Sequence, residues 1–301
     1  MKRKLLIILF FIFLMNEIGF CWGEQGHRWI LMEAIDLLPQ EIKKYYKSLE
    51  SELLNKVMDP DMRKGADNNN EAANHYINPE LYVSFGFSID TVPWRESEVL
   101  KKVSAEKMNE YGVLPFAIKK TYMKLVEALK KSDTQAIIVY AADLAHYVGD
   151  AHQPLHLTEN FNGQLTGNLN IHFRFENDLV SEYLNKVPVP AKKELQKIKD
   201  IDKYCWEHIK KISKFVPAII QADNAGVAVS KIYDDKYFRV LWNNTKDIFQ
   251  AVFINGAYAL SEYYYTAYLT AFPTPQNKKT KSTKTADKSK ISTTKNKTLK
   301  K

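Results

Sequence analysis

Two histidine–carboxylate pairs with one spacing carry the first sign of chemistry. His146 and Asp150 lie four residues apart in ADLAHYVGDAHQPLH, and His172 and Glu176 repeat that spacing in NIHFRFE. Residues four apart on a helix share a face one turn apart, so each pair can offer an imidazole and a carboxylate to one cation. Taken alone, either pair is more often an ordinary ion pair. His156 follows in the turn made by Gly149 and Pro154. With His172 and Glu176 it makes two histidines and a carboxylate, the usual donors of a catalytic zinc that keeps an open position. Asp59, Asp61 and His75 bracket a polar stretch over 58–76. Trp22 and His27 frame WGEQGH. Processing after Cys21 would expose the Trp22 amine, whose unperturbed pKa of about 8 lets a metal hold it neutral as a nitrogen ligand.

Helical elements must carry these groups. Apolar residues recur at three- and four-residue spacing over 27–38, 41–57, 96–109, 114–131, 134–149, 191–214 and 235–271, which predicts helices there. Pro115, Pro154, Pro188, Pro190 and Pro273 fall at or beyond helix ends, as a missing amide donor requires. No alternating segment is long enough to demand a sheet, and no internal repeat or linker interrupts 22–276. The expected fold class is all-α, a single compact multi-helix domain. Two polar stretches, 58–74 and 157–171, read as loops held by that scaffold, where chemistry tends to sit.

The ends separate from this domain. Lys2, Arg3 and Lys4 precede an apolar run from Leu5 to Met15, too short to span a bilayer, so residues 1–21 read as a signal peptide removed before Trp22. The protein is then exported, periplasmic or secreted. Residues 277–301 carry ten lysines and one aspartate with almost nothing apolar, the composition of a disordered tail. The whole chain is +8, but residues 22–276 come to −3, so the basic balance belongs to the ends. Charge alone therefore does not make the folded body a nucleic-acid binder. Loss of the leader leaves Cys205 alone, which excludes an internal disulfide. Cys205 and His208 share a predicted helix and read as structural.

WGEQGH, the Asp-Pro-Asp segment with HYIN, HYVGDAHQPLH and NIHFRFE stand in the order found in one superfamily. The chain resembles the trinuclear zinc phospholipase C and nuclease P-one superfamily, which includes plant and fungal single-strand nucleases. The motifs run from Trp22 to Glu176; beyond them only the helical pattern agrees. The resemblance implies three zinc ions. Asp61, His75, His146 and Asp150 would hold the first. The Trp22 amine and carbonyl, His27 and the bridging Asp150 would hold the second, and His156, His172 and Glu176 the third. Asp61 is preferred to Asp59 because an Asp after Pro recurs in the phospholipases, and Asp61 would also orient the attacking hydroxide. Arg63 or Lys64 would offset charge on the transition-state oxygens; the nucleases often carry Arg where Lys64 stands. Tyr76 would stack on a base and Asn78 would bond to it. The implied activity is phosphodiester hydrolysis of single-stranded DNA or RNA, with phosphatidylcholine-like lipids as the alternative, since Glu176 follows the phospholipase wording. No protein partner is implied.

Overall fold

The computed structural model describes residues 23–65 and 70–273. The expected leader 1–21, Trp22, the expected domain end at 276 and the lysine-rich tail lie outside them. Among the described residues every regular element is helical. The α-helices are α1 Glu24–Leu37, α2 Gln40–Lys47, α3 Glu50–Lys56, α4 Asp59–Arg63, α5 Glu96–Val99, α6 Ala105–Tyr111, α7 Leu114–Lys131, α8 Thr134–Asp150, α9 Ile171–Phe173, α10 Leu179–Tyr183, α11 Ile201–Ile212, α12 Val216–Val229 and α13 Asp235–Ala271. Short 3-10 turns cover Glu71–His75, Pro79–Phe85 and Pro154–Leu157, and a π-turn covers Arg174–Asp178. No described helix is long and apolar enough to cross a membrane.

The core is built around α13, which packs on α1, α7, α8 and α12. Its buried face presents Phe249, Val252, Phe253, Leu260 and Tyr264. Tyr264 stacks on Tyr46 at 4.5 Å and donates its hydroxyl to the Ala141 carbonyl at 2.8 Å, so one ring joins α2, α8 and α13. The helix ends follow local chemistry. Pro115 opens α7, Ser132 closes it at a φ of 54°, and the Asp133 carboxylate caps α8 by accepting from the Ala136 amide. The α7–α8 hairpin is thus fixed at its turn, which sets the face that α8 turns inward.

Several expectations needed correction. The span 41–57 breaks into two helices at Ser48 and Leu49, and 96–109 into α5 and α6. The span 191–214 is helical only from Ile201. Before it, the chain lies as a strap along α13, with the Ile198 amide donating to Thr266 Oγ1 at 2.9 Å and Leu195 and Ile198 buried. Side chains of α13 satisfy strap amides that a helix would have paired internally, so apolar spacing alone misassigned it. Helix α12 was not anticipated; Pro217 and Gly226 weaken its signal. Gly226 is needed there, because a Cβ would sit 2.6 Å from the Tyr237 ring. The 58–74 stretch is not all loop: Pro60 starts the short helix α4, which carries Asp61.

Candidate metal centre

Helix α8 supplies the centre of the site. His146 and Asp150 are fully buried on one face, one turn apart, with His146 Nε2 3.4 Å from Asp150 Oδ2. Asp150 reaches in two directions. Its Oδ2 lies 3.0 Å from His75 Nδ1, and its Oδ1 lies 3.6 Å from His27 Nε2 and 3.5 Å from His156 Nδ1. Around it, ligand-type atoms gather in three groups, each within 4.8 Å: Asp61, His75 and His146; His27, His146 and Asp150; and His156, His172 and Glu176. The structure thus brings together eight of the expected ligands from segments up to 149 positions apart in the chain. Trp22, the ninth, lies outside the described residues.

The first group is tight. Asp61 Oδ1 stands 3.4 Å from His146 Nε2 and 3.5 Å from His75 Nδ1, and those two nitrogens are 3.1 Å apart. In the third, the His156 and His172 Nε2 atoms are 3.0 Å apart, and Glu176 Oε2 lies 3.3 Å and 2.9 Å from them. In the second, the His27 ring stacks on His146 with centroids 4.0 Å apart. Gly149 makes this possible: a Cβ there would come within 2.6 Å of His27 Nδ1.

Backbone carbonyls set the ring tautomers. His146 Nδ1 donates to the Val57 carbonyl at 2.8 Å, and His156 Nδ1 to the His75 carbonyl at 2.7 Å. A carbonyl only accepts, so each Nδ1 carries a proton and each Nε2 is the nitrogen turned to its group. His75 is turned the other way: Nδ1 faces the group and Nε2 points toward Glu71 Oε1 at 3.6 Å. Glu71 is held by the Tyr147 hydroxyl and by Arg63.

Electrostatics separate the groups further. Burial would raise the Asp61 carboxyl, but His146, Lys64 and His75 outweigh it and hold Asp61 well below the usual carboxylate range. Asp150 is likewise depressed against its burial by His146, His156 and His75. Glu176, opposed by burial and favoured by His172 and His156, falls to about 2. Burial, reinforced by His146, pushes His27 down to about 3, so it is a neutral imidazole. Both His27 nitrogens, Asp61 Oδ2 and Asp150 Oδ1 are buried without a hydrogen-bond partner. Such groups cost several kcal/mol when left so, roughly 2–7 each for a neutral polar group. Cations bound among them would satisfy both the orphaned nitrogens and the concentrated carboxylate charge. Mixed imidazole and carboxylate donors suit divalent transition metals.

The other expected residues divide. Lys64 Nζ sits 2.7 Å from Asp61 Oδ1, beside the centre. Arg63 turns away from it: both terminal nitrogens bond the Asp143 carboxylate, at 3.2 and 3.0 Å, and its charge is taken up there. Tyr76 is half-buried and donates its hydroxyl to the Glu110 carbonyl at 3.2 Å, while Asn78 is buried with its backbone N–H on the Tyr111 carbonyl. Two functional positions were missed. Gln153 donates Nε2 to Glu176 Oε2 at 3.0 Å and accepts from the Leu155 amide, locking its own orientation. Gly149 gives room to His27. Both stand inside HYVGDAHQPLH, and the only signal for them was their place between ligands.

A family model described as S1/P1 Nuclease matches residues 22–271. The match spans the described domain to the last residue of α13, well past Glu176 where the recognisable motifs end. No curated protein sequence matches the chain.

Proposed function

The chain belongs to the S1/P1 nuclease family, whose members hydrolyse phosphodiesters, and we propose that it is an exported endonuclease that cuts single-stranded DNA or RNA with three zinc ions. The carrying observation is the burial of three imidazole–carboxylate groups, two of which share His146, with orphaned donor and acceptor atoms among them. In this reading the ligands are those expected from the sequence, and the Trp22 amine, freed by removal of residues 1–21, completes the group around His27. The family match begins at Trp22, which supports that processing point.

Bound zinc would supply the charge that draws in the phosphodiester and lowers the pKa of the attacking water. The protein does the rest. Asp61, ionised throughout the neutral range, orients the water and the first ion rather than storing a proton. Lys64, beside Asp61, offsets charge on a non-bridging oxygen. Arg63 does not share that role, since Asp143 holds it. The Tyr76 ring stacks on a base, an interaction worth about 1–3 kcal/mol per base, and the Asn78 amide reads the base edge. His172, at 21% exposure, is the most open ligand and marks the leaving-group side.

Phospholipid is the second reading. It is favoured by Glu176 and by the exposed apolar side chains of Phe161, against the His172 ring, and Phe173, next to it in the chain. One comparison tests both. Chelator-stripped protein, reloaded with zinc, is assayed in parallel on single-stranded DNA, RNA and phosphatidylcholine. Nucleotide release is expected. Strong lipid cleavage without nucleotide release would overturn the nuclease reading.

A further inference from the structure

Of the two histidines that close the third group, only His156 has its Nδ1 pinned to a backbone carbonyl. His172 makes no such bond among the described residues; its contacts are His156, Glu176 and the edge of Phe161, 5.8 Å away. It stands on α9, which is three residues long and follows Asn170 in a left-handed conformation at φ 65°. Glu176 stands in the π-turn that continues α9. The π-turn runs on into α10, so 171–183 is one helical stretch whose regular pairing is interrupted where Glu176 stands, and outside contacts bear on how that interruption is held.

Arg174 lies between the two ligands and is 4% exposed. Its Nη1 donates to the Leu169 carbonyl at 2.7 Å, its Nε to the Tyr237 hydroxyl at 2.9 Å, and its Nη2 to Asp223 Oδ1 at 2.8 Å. The guanidinium also rests over the Tyr233 ring at 4.1 Å. Asp223, fully buried on α12, accepts in addition from Tyr237 and from Asn168 Nδ2 at 2.6 Å. One carboxylate thus ties the loop before α9, the π-turn and the start of α13 together. Buried ion pairs of this kind often add little net stability, because desolvation offsets the attraction; what this one fixes is the direction in which His172 and Glu176 project.

We infer that Asp223, acting through Arg174, is a positioning residue for the His156–His172–Glu176 group and sets the affinity of the ion held there. The inference rests on the metal-centre reading above. Asp223→Asn alone leaves a buried guanidinium without its counter-charge and risks the fold. Arg174→Met combined with Asp223→Asn removes both charges while keeping the volume. Zinc titration of the chelator-stripped proteins, read as ions bound per chain, is the measurement, with the thermal midpoint of the metal-free protein recorded beside it. The expected result is one ion bound about 10- to 100-fold more weakly, the range for loss of an outer partner, with the other affinities unchanged. A purely structural role would lower the midpoint and leave all affinities equal, which would overturn the inference. Wild-type protein that binds no zinc would instead overturn the metal reading itself.

Discussion

Gly149→Ala is the sharpest test of the packing that brings His27 to the centre. The added methyl would lie 2.6 Å from His27 Nδ1 and 2.9 Å from Cε1, against ordinary contacts of 3.4 Å or more. His27 must therefore shift by several tenths of an ångström. It is fully buried and stacked on His146 at 4.0 Å with 10° between the rings, so it cannot slide without disturbing a second ligand. Overpacking of this kind costs about 1–3 kcal/mol. Alanine in place of glycine near the end of α8 returns up to about 1 kcal/mol of helix propensity. The metal-free protein should thus lose on the order of 1 kcal/mol, a drop of about 2–4 °C in melting midpoint. The metal effect should be larger: a misaligned ligand is expected to weaken its ion about 10- to 100-fold. Metal content by mass spectrometry at limiting free zinc, with melts in the presence and absence of chelator, reads both quantities. Gly65→Ala is the control, since nothing among the described residues lies within 4 Å of a Cβ there. If Gly149→Ala bound metal like the wild type and melted at the same temperature, the packing argument for His27 as a ligand would be wrong.

Three further outcomes follow from the same geometry. Chelation should destabilise the protein, because seven buried donor residues and the partly open His172 lose their ions; ions held at 100 times their dissociation constant contribute about 2.7 kcal/mol each, and a melt unchanged by chelator would contradict this. Gln153→Leu removes the amide that holds Glu176 at 3.0 Å; activity is expected to fall roughly tenfold or more with weaker metal binding, and steady-state kinetics at saturating and limiting zinc would separate the two effects. Arg63→Met and Lys64→Met should behave oppositely. The first leaves Asp143 without its bidentate partner and costs on the order of 1 kcal/mol of stability, since Arg63 is 38% exposed, whereas the second acts mainly on turnover and lowers kcat by about 10-fold or more. A Lys64→Met enzyme with full turnover would remove Lys64 from the mechanism.

Two of the clustered pairs were legible in the sequence because their spacing is local, while the full ligand set was what the resemblance implied. An imidazole and a carboxylate four apart announce a shared helical face whatever surrounds them, and α8 delivers His146 and Asp150 as that spacing requires. Helix ends were legible where proline or a capping side chain marks them, as at Pro115. Features that depend on the partner surface were not. Leu195 and Ile198 have helical spacing, yet α13 offers Thr266 and Glu262 to the strap's amides, and the extended form wins. Arg63 and Lys64 are neighbours of like charge, and nothing local says that one turns to Asp143 and the other to Asp61.

Asp150 shows how these two kinds of information combine. Its identity and its distance from His146 are one-dimensional facts. Its position is not: Oδ2 faces His75 on a 3-10 turn, and Oδ1 faces His27 on α1 and His156 beyond the end of α8. A single carboxylate can serve three segments only if all three approach one helix terminus closely. That approach needs the missing side chain of Gly149, the Val57 and His75 carbonyls that orient two rings, and the turn at Pro154. Each is an ordinary feature of a helical fold. The charge at the centre binds them into one requirement, since carboxylates buried so deeply stay ionised only with positive partners beside them.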